Sequence, residues 1–552
     1  MKVRGFMKKL FRFHTKGPKF SLGDHSWNRP PAPQDDSRAG AGEYLEKDLA
    51  KNRSILEHTF ELPDNKDIVV REFQIPRLKK TALIIFIDGL TDRNTQNFAI
   101  LQPLMLLEPE NLTVKDPILT VLGKMLPGHQ IAKTKRLQSV IEGILDGSTA
   151  LLIEGADEAL IIETKGWDRR GVERPESEHV VRGPQEGFTE TFRSNTASVR
   201  RYLKDPKLIT EILRVGRRSS TQLAIMYIKD IANPKLVAEV KYRIQSISDT
   251  VDYVCETGML EELLEDNPRS FFPQFFSSER PDRIAAFIRE GNVGIIMANS
   301  PYSLIIPTNF SIFLHAAEDY YLRWPFSNFL RFIRTISIFI ALMLPSLYIA
   351  VVNYHQEMIP TDLLLAITTS REAVPFPAIV EILFMELAFE LIREAGVRIP
   401  SVIGPTIGIV GALILGQAAV AASIVSPILI IIIAITAISS FVVPNYNASF
   451  TIRILRFVFI LLAGFLGFLG IAFGIFIMTL HMAQITNFGA PFLTPIAPYR
   501  PKNKDRIIRP QTYKQPYRPV YLRPLDWIRQ AKTPRPWDRP ELHSDSQGDE
   551  DL

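Results

Sequence analysis

The sequence predicts an α+β soluble region of two α/β-type subdomains, followed by an all-α transmembrane bundle. Short β-branched runs that end at turn residues alternate with helical patterns ahead of residue 315. Residues 329–490 are strongly apolar, and basic segments flank them on both sides. Basic flanks of this kind stay on the cytoplasmic side of a membrane. The length of 552 residues suggests about three domains.

The composition excludes several kinds of site. Hydrophobic residues make up 46% of the chain and charged residues 22%, which is ordinary, so the membrane prediction depends on their uneven distribution. The one cysteine, Cys255, excludes an internal disulfide framework, a cysteine-based zinc site and an iron–sulfur cluster. The basic start of the chain lacks the apolar run of a signal peptide. Membrane retention explains the basic tails, so we expect no nucleic acid partner.

The first soluble elements follow a polar extension. Residues 1–42 are rich in proline, glycine and charge, and they are predicted to be a disordered basic N-terminal extension. The first subdomain is predicted over residues 43–165. Within it, "DIVVREFQI" and "TALIIFIDGL" predict strands, and Ala150–Thr164 predicts a hairpin.

The second subdomain is predicted over residues 190–315. "TQLAIMYIKDI" predicts a strand, and a helix is expected to begin at the capping residue Asn233, with proline next. A second helix is predicted from Pro281 to Gly291, and two strands follow it. Beyond the apolar region, residues 491–552 are rich in proline, arginine and aromatic residues, which predicts an extended cytoplasmic tail.

Four apolar stretches are predicted to cross the membrane. Most of them approach or exceed the ~20 residues that a bilayer core requires. Four spans leave both basic termini on the cytoplasmic side, whereas five spans would place the basic C-terminal tail outside. The predicted spans are Phe329–Tyr354, Gly404–Pro427, Ile428–Val443 and Phe457–Met482.

A further apolar helix, residues 376–396, carries charges. Glu386, Glu390 and Arg393 fall on one stripe of this helix, and Glu381 lies nearer its start. Carboxylates that face lipid are costly. We therefore expect this amphipathic helix to lie at the membrane interface, or to face protein or water inside an assembly.

Small residues and one amide mark the predicted spans. Glycines allow close helix packing, and the candidates are Gly404, Gly408, Gly464, Gly467, Gly470 and Gly474. Leu413, Gln417, Val420 and Ile424 form one stripe of the second span. In a ring of copies, the amide of Gln417 would line a water-filled path that the apolar members constrict. An interhelical hydrogen bond explains the amide equally well, and both interpretations stay open.

No catalytic motif is recognised. The sequence lacks a Walker loop, a dinucleotide-binding glycine turn, an HExxH motif and a G-x-S-x-G elbow. Asp88-Gly89 is interpreted as a turn after a strand, and the histidines share no metal-binding spacing. We therefore expect neither an enzyme nor a metal or cofactor site.

Several separated motifs resemble those of one known family. Taken in their order along the chain, these motifs resemble the A subunit of GerA-type spore germinant receptors, and the resemblance covers about residues 60–498. The motifs are "FIDGL" (86–90), "RGPQEGFTETFRSN" (182–195), "NPKLVAEVKYRI" (233–244), "FPQFFSSERPD" (272–282), "EDYYLR" (318–323) and "NFGAPFLTPIAP" (487–498).

The resemblance implies a multi-pass protein of the inner membrane of the dormant spore, which responds to nutrients such as amino acids or sugars. It implies a transporter-like B subunit and a lipoprotein C subunit as partners in the lipid bilayer. A-subunit relatives are expected to form a homo-oligomeric ring, an ion channel that releases monovalent cations. The soluble region and the tail are expected to be cytoplasmic.

Three functions are compatible with these observations. The first is a nutrient-gated channel, in which Gln417 is the polar contact and Val420 and Ile424 form the hydrophobic gate. Glu386 and Glu390 would attract cations at its mouth, or pair with Arg393 and with neighbouring subunits. The alternatives are a secondary transporter component and a non-conducting scaffold that recruits partner subunits.

Overall fold

Two five-stranded sheets with their helices form the N-terminal part of the protein, and long helices form the C-terminal part. The structure is a computed structural model, and it describes residues 22, 44–106, 117–127, 130–166, 175, 178–398, 416–499, 505 and 508–530. This order confirms the predicted mixture of strands and helices ahead of a helical region. The predicted disordered extension lies outside the described residues except for Leu22, which is buried in the core of the second sheet.

The first sheet lies between two layers of helix. Its elements are α1 (Leu49–Thr59), β1 (Ile68–Ile75), β2 (Lys80–Ile87), a helical stretch with a π-helical turn at Gln96–Leu101, α2 (Pro117–Lys124), β3 (Ile131–Thr134), α3 (Leu137–Leu145), β4 (Thr149–Ile153) and β5 (Ala159–Ile162). The strand order is β1-β2-β4-β5-β3. Alternate residues of a strand point to opposite faces. Leu83 and Ile85 therefore pack against α1 and α3, while Ala82 and Ile84 pack on the other face.

The second sheet repeats the topology of the first. Its elements are α4 (Phe192–Tyr202), β6 (Leu208–Val215), β7 (Thr221–Ile228), α5 (Pro234–Ser248), α6 (Thr257–Leu264), β8 (Phe276–Ser278), α7 (Pro281–Glu290), β9 (Val293–Met297) and β10 (Ser303–Ile306). In the strand order β6-β7-β9-β10-β8, the third strand of this sheet in sequence, β8, again lies at the edge beside the fifth, β10. The strand pairs of both sheets are antiparallel. Short hairpins join β1 to β2, β4 to β5, β6 to β7 and β9 to β10.

Local signals in the sequence set the limits of several elements. Asn233 is the N-cap of α5, and its side chain accepts a hydrogen bond of 3.0 Å from the backbone N–H of Lys235. Gly291 ends α7 in the left-handed region, with a φ of +103°. The predicted helix start at Asn233 and the predicted helix end at Gly291 are therefore both confirmed.

One buried arginine joins the two sheet regions. Arg200 of α4 donates to both carboxylate oxygens of Asp67, at 2.5 and 2.7 Å, and to the side-chain oxygen of Asn65 at 2.8 Å. The amide of Asn65 in turn donates to the carbonyl of Leu208 at 3.1 Å. Arg200 and Asp67 are both 1% exposed. A bidentate pair of this kind fixes orientation as well as distance.

The helical part contains long helices and shorter helical segments. Its elements are a 3-10 turn at Phe310–Leu314, a second 3-10 turn at Ala317–Tyr320, α8 (Trp324–Tyr354), α9 (Thr361–Arg371), α10 (Ala378–Arg398), a helical stretch at 416–421, α11 (Pro427–Phe441), α12 (Tyr446–Leu466) and α13 (Phe468–Gln484). By length and composition, α8 and α12 are long and apolar enough to cross a membrane, and α11 and α13 are shorter apolar helices.

The last predicted span is wrong, because the chain turns at Gly467. Residues 457–482 belong to two helices, α12 and α13, which pack side by side. The pairs Leu462–Gly470 and Phe459–Gly474 approach closely and are spaced almost evenly on either side of the turn. This spacing identifies an antiparallel helical hairpin. Gly467 has a φ of +59° and lies against the ring of Tyr354, a conformation and a contact that favour glycine.

The hairpin gives the helical part a near end and a far end relative to the sheets. At the near end, Thr451 of α12 donates to the carbonyl of Phe271 at 2.5 Å, and Met482 of α13 lies in the core of the second sheet. At the far end, the hydroxyl of Tyr354 in α8 donates to the carbonyl of Gly464 at 2.6 Å. α8 and α12 therefore both run from the near end to the far end, and α13 runs back toward the near end.

Part of the predicted extended tail is folded onto the second sheet. Tyr521 and Leu522 are buried in its hydrophobic core, and the N–H of Leu525 donates to the carbonyl of Ile231 at 2.9 Å. The aromatic and proline residues of the tail do not follow the periodicity of a helix or a strand. The sequence therefore did not predict that this segment packs against the sheet. The rest of the tail beyond residue 530 lies outside the described residues.

Replacement of Gly467 tests the helical hairpin. Gly467→Ala adds a Cβ that would lie 3.0 Å from the ring of Tyr354, in a backbone conformation that alanine adopts poorly. We expect a loss of more than about 1 kcal/mol of stability, measured by thermal unfolding in detergent. The matched control is Gly396→Ala in α10, where an added Cβ meets nothing within 4 Å. Equal stability of the two variants would contradict the turn.

Candidate functional site

The carboxylates of α10 face arginines of α12. Glu386 is 0% exposed and accepts a hydrogen bond of 2.6 Å from Arg456, which is also fully buried. One turn further along, Glu390 is paired with Arg453. The order of the two pairs runs in opposite directions along the two helices, as expected for antiparallel neighbours. α10, whose charges were predicted to be too costly to face lipid, is therefore paired with α12.

Pairing explains how these charges are tolerated. Moving one ion out of water costs several kcal/mol, and a partner at hydrogen-bond distance offsets much of that cost. Nε and Nη2 of Arg456 and Oε1 of Glu386 are buried with no hydrogen-bond partner among the described residues. Buried polar atoms of this kind are sites for ordered water or for partners from other chains.

The pairing partners differ from the expected ones. The sequence offered Arg393 or a neighbouring subunit as partners of Glu386 and Glu390, but the structure provides Arg456 and Arg453 of the same chain. Arg393 instead approaches the hydroxyl of Ser440 at 3.3 Å. Because each carboxylate already binds a guanidinium, neither presents an uncompensated charge to a passing cation. The sequence did not indicate Arg453 and Arg456 as the partners, because the spacing of two arginines does not identify the carboxylates that they bind.

Glu381 connects α10 to the predicted gate segment. Its carboxylate, 2% exposed, accepts a hydrogen bond of 3.1 Å from the backbone N–H of Ser426. Arg371 of α9 lies 3.3 Å from the other carboxylate oxygen. Ser426 is the N-cap of α11 and closes the turn that follows residues 416–421. Glu381 therefore fixes this turn at the far end of the helical part.

The predicted gate stripe is only partly helical. The helix ends at residue 421, and Ser423 has a φ of +50° in the following turn. Ile424 therefore lies in a turn, 36% exposed, and is not on a helical stripe with Gln417. Gln417 is exposed and Val420 is partly exposed on this single chain. Leu413 lies outside the described residues.

The predicted packing glycines lie where neighbouring groups leave little room. An added Cβ at Gly464 would come within 2.1 Å of Ile379 in α10, and at Gly470 it would come within 2.1 Å of the Leu462 carbonyl. Gly474 faces Phe459, and Gly467 forms the turn. Gly404 and Gly408 lie outside the described residues.

A second charge cluster joins the segment after the second sheet to α8. Asp319, 0% exposed, accepts hydrogen bonds from Arg331 at 2.9 Å and from Arg334 at 3.0 Å. Arg331 also donates to Asp505 of the tail at 2.5 Å. Burial favours a raised pKa for Asp505, but His315 and Arg331 outweigh it and hold the pKa below its ordinary value. The motif "EDYYLR" contains Asp319, yet its spacing did not reveal this contact.

A cavity of about 430 Å³ lies between α7 and the folded part of the tail. Its carboxylates are already compensated. Asp282 accepts from the hydroxyl of Tyr321, and Glu290 lies 3.0 Å from Arg529. Burial raises the pKa of Glu290 above its ordinary value. The described side chains form no group of three or more histidine, cysteine or acidic residues that would hold a metal ion.

Comparison with known proteins gives a consistent result over most of the chain. The sequence profile described as "Bacillus/Clostridium GerA spore germination protein" matches residues 54–521. The chain is 39% identical over 490 residues to spore germination protein KA of Bacillus subtilis (strain 168), which covers 88% of this chain and 89% of that protein. It is 38% identical over 454 residues to the uncharacterized membrane protein YfkQ of the same organism, covering 82% of this chain and 87% of that protein.

A solved structure also shows similarity. It is the crystal structure of the N-terminal domain of the A subunit of the Bacillus megaterium spore germinant receptor GerK3. The match has 26% identity and a TM-score of 0.38, and it covers 48% of this chain and 97% of that one.

Replacement of Glu386 tests the pairing of α10 with α12. Glu386→Ala leaves the buried guanidinium of Arg456 unpaired, and we expect a loss of about 3–5 kcal/mol in the stability of the detergent-purified protein. The control is Glu394→Ala, because the Glu394–Arg398 pair is exposed and should contribute little.

The exchange variant separates charge from packing. Glu386→Arg combined with Arg456→Glu restores opposite charges and should recover part of the lost stability. Equal unfolding temperatures for Glu386→Ala and Glu394→Ala would contradict a structural role for the pair.

Proposed function

The chain belongs to the GerA family of spore germination proteins, and on that premise we propose that it is the channel-forming subunit of a nutrient-responsive germinant receptor. Its role in spore germination follows from the family. The proposed mechanism is a homo-oligomeric ring that opens when nutrient binds and releases monovalent cations. Ligand energy at a partner subunit would shift the constriction from a dry to a hydrated state.

The exposed amide of Gln417 carries this proposal. It lies in an apolar part of the helical region, on the surface of a single chain. A polar group in hydrocarbon without a partner costs several kcal/mol. A second copy or a hydrated axis supplies that partner, whereas lipid does not. Val420 lies one turn further along and provides the apolar constriction beside the amide.

We propose six membrane passages, in place of the four that the hydropathy pattern indicates. They are α8, α10, the segment that ends at residue 421, α11, α12 and α13. The paired charges of α10 and the hairpin at Gly467 support this arrangement. An even number keeps the sheets and the tail on one side, which we place in the cytoplasm of the spore, at its inner membrane. Transporter-like B and lipoprotein C subunits are the proposed partners.

The gate prediction is tested with Val420→Ser. A hydroxyl at the constriction should stabilise water there, so purified protein in liposomes should leak K⁺ without nutrient, and spores should germinate spontaneously. The control is Ile438→Ser in α11, which is 67% exposed on the helix surface and away from the proposed constriction. Normal dormancy and no leak for Val420→Ser would exclude this gate. The absence of any conductance in the unmodified ring would favour a scaffold.

The number of passages is tested by cysteine labelling of whole cells. In a Cys255→Ser background, Leu466→Cys should react with a membrane-impermeant maleimide added outside, because the hairpin tip reaches the far surface. Gln484→Cys should react only after permeabilisation. If residues 457–482 formed one span, Leu466→Cys would lie inside the bilayer and stay unlabelled.

A further inference from the structure

A small apolar pocket lies where the soluble part meets α8. It has a volume of about 160 Å³, and three segments form its walls: the 3-10 turn at Phe310–Leu314, α8, and the loop after Pro491. Its lining residues are Phe310, Ser311, Leu314, Thr335, Ile338, Pro495 and Ile496.

The two hydroxyls in the lining are already satisfied. Thr335 donates to the carbonyl of Arg331 at 2.8 Å, and Ser311 donates to the side-chain oxygen of Asn309 at 2.9 Å. A buried water needs about 2–4 polar partners, and an apolar cavity of about 150 Å³ stays dry and accepts an apolar guest. The pocket therefore favours a hydrocarbon group over water.

The length of α8 places the pocket at a membrane surface. The helix has 31 residues and is about 46 Å long, whereas a hydrocarbon core is about 30 Å thick. Arg331 and Arg334 are bound to Asp319 and precede the continuous apolar stretch. Residues 335–354 alone span about 30 Å. Thr335 and Ile338 therefore lie at the start of the hydrocarbon core on the side of the soluble part.

We propose that this pocket binds an acyl chain of a phospholipid from the adjoining leaflet. This inference rests on the membrane placement within the proposed function, but it does not require ion conduction. The apolar surface of α8 continues from the pocket level, since Phe332 and Phe339 are 60% and 56% exposed. Ile496, 52% exposed, lies at the rim. A bilayer supplies acyl chains at this depth along the whole of that surface.

The bound chain would act as a packing element at the junction. Arg334 donates to the carbonyl of Leu314 at 3.0 Å, so the 3-10 turn is tied to α8 beside the pocket. An acyl chain fills the space that this contact leaves open between the turn and the helix. Lipid would then contribute directly to the contact between the soluble part and the first membrane helix.

Photo-cross-linking tests the pocket in the complete protein. The protein is reconstituted with a phosphatidylglycerol that carries a diazirine on one acyl chain, irradiated, digested and analysed by mass spectrometry. We expect labels on Leu314, Ile338 or Ile496, as well as on the exposed face of α8. Ile338→Trp fills the pocket and should abolish the labels at Leu314 and Ile496. Phe339→Trp, on the exposed face, should leave them unchanged. Leu314→Trp replaces Ile338→Trp if the latter does not fold.

The outcomes separate this inference from the proposed function. Labels on Phe332 and Phe339 without any on Leu314, Ile338 or Ile496 would refute the pocket and keep the membrane placement. The absence of all labels on α8 would refute the membrane placement itself. Pocket labelling by a diazirine-bearing oleate but not by the diazirine-bearing phosphatidylglycerol would assign the pocket to a free fatty acid and overturn the phospholipid assignment.

Discussion

The arrangement of the helical part depends on two charge pairs between two helices, one of them fully buried. Glu386 and Glu390 of α10 meet Arg456 and Arg453 of α12, and neither set can face hydrocarbon alone. Once paired, the four side chains fix α10 beside α12 and set the antiparallel register of both helices. The close approach of Ile379 to Gly464 follows from this register, at the far end of the same interface.

This register connects the two ends of the helical part. α10 carries Glu390 toward the sheets and Glu381 toward the far end, where Glu381 binds the turn at Ser426. A rigid helix that moves at one end also moves at the other. α10 thus links its partner α12 to the turn that follows Val420.

Buried charge pairs connect the parts of the N-terminal region and join it to α8. The two sheet regions share one topology and are joined by the buried pair Arg200–Asp67. The junction to α8 uses a second buried cluster around Asp319, to which the tail adds Asp505. Buried bidentate and networked pairs have defined geometries and few alternatives. The two sheets, the described part of the tail and α8 are therefore expected to move together.

The sequence by itself determined the elements that depend on local chemistry. The cap at Asn233, the helix end at Gly291, the order of the strands along the chain and the family motifs follow from residues close together in the chain. The long apolar helix α8 follows from composition alone.

Only the tertiary structure decided the features that depend on distant residues. The sequence showed that the charges of α10 needed partners, but Arg456 lies 70 positions away from Glu386, and no local pattern links them. Gly467 was recognised as a packing residue, yet its role as a turn depends on Tyr354. The folded tail and the end of the gate helix at residue 421 also arise from long-range packing. Hydropathy indicates whether a segment lies in an apolar environment. The direction of a helix and the partners of its side chains depend instead on the residues that pack against it.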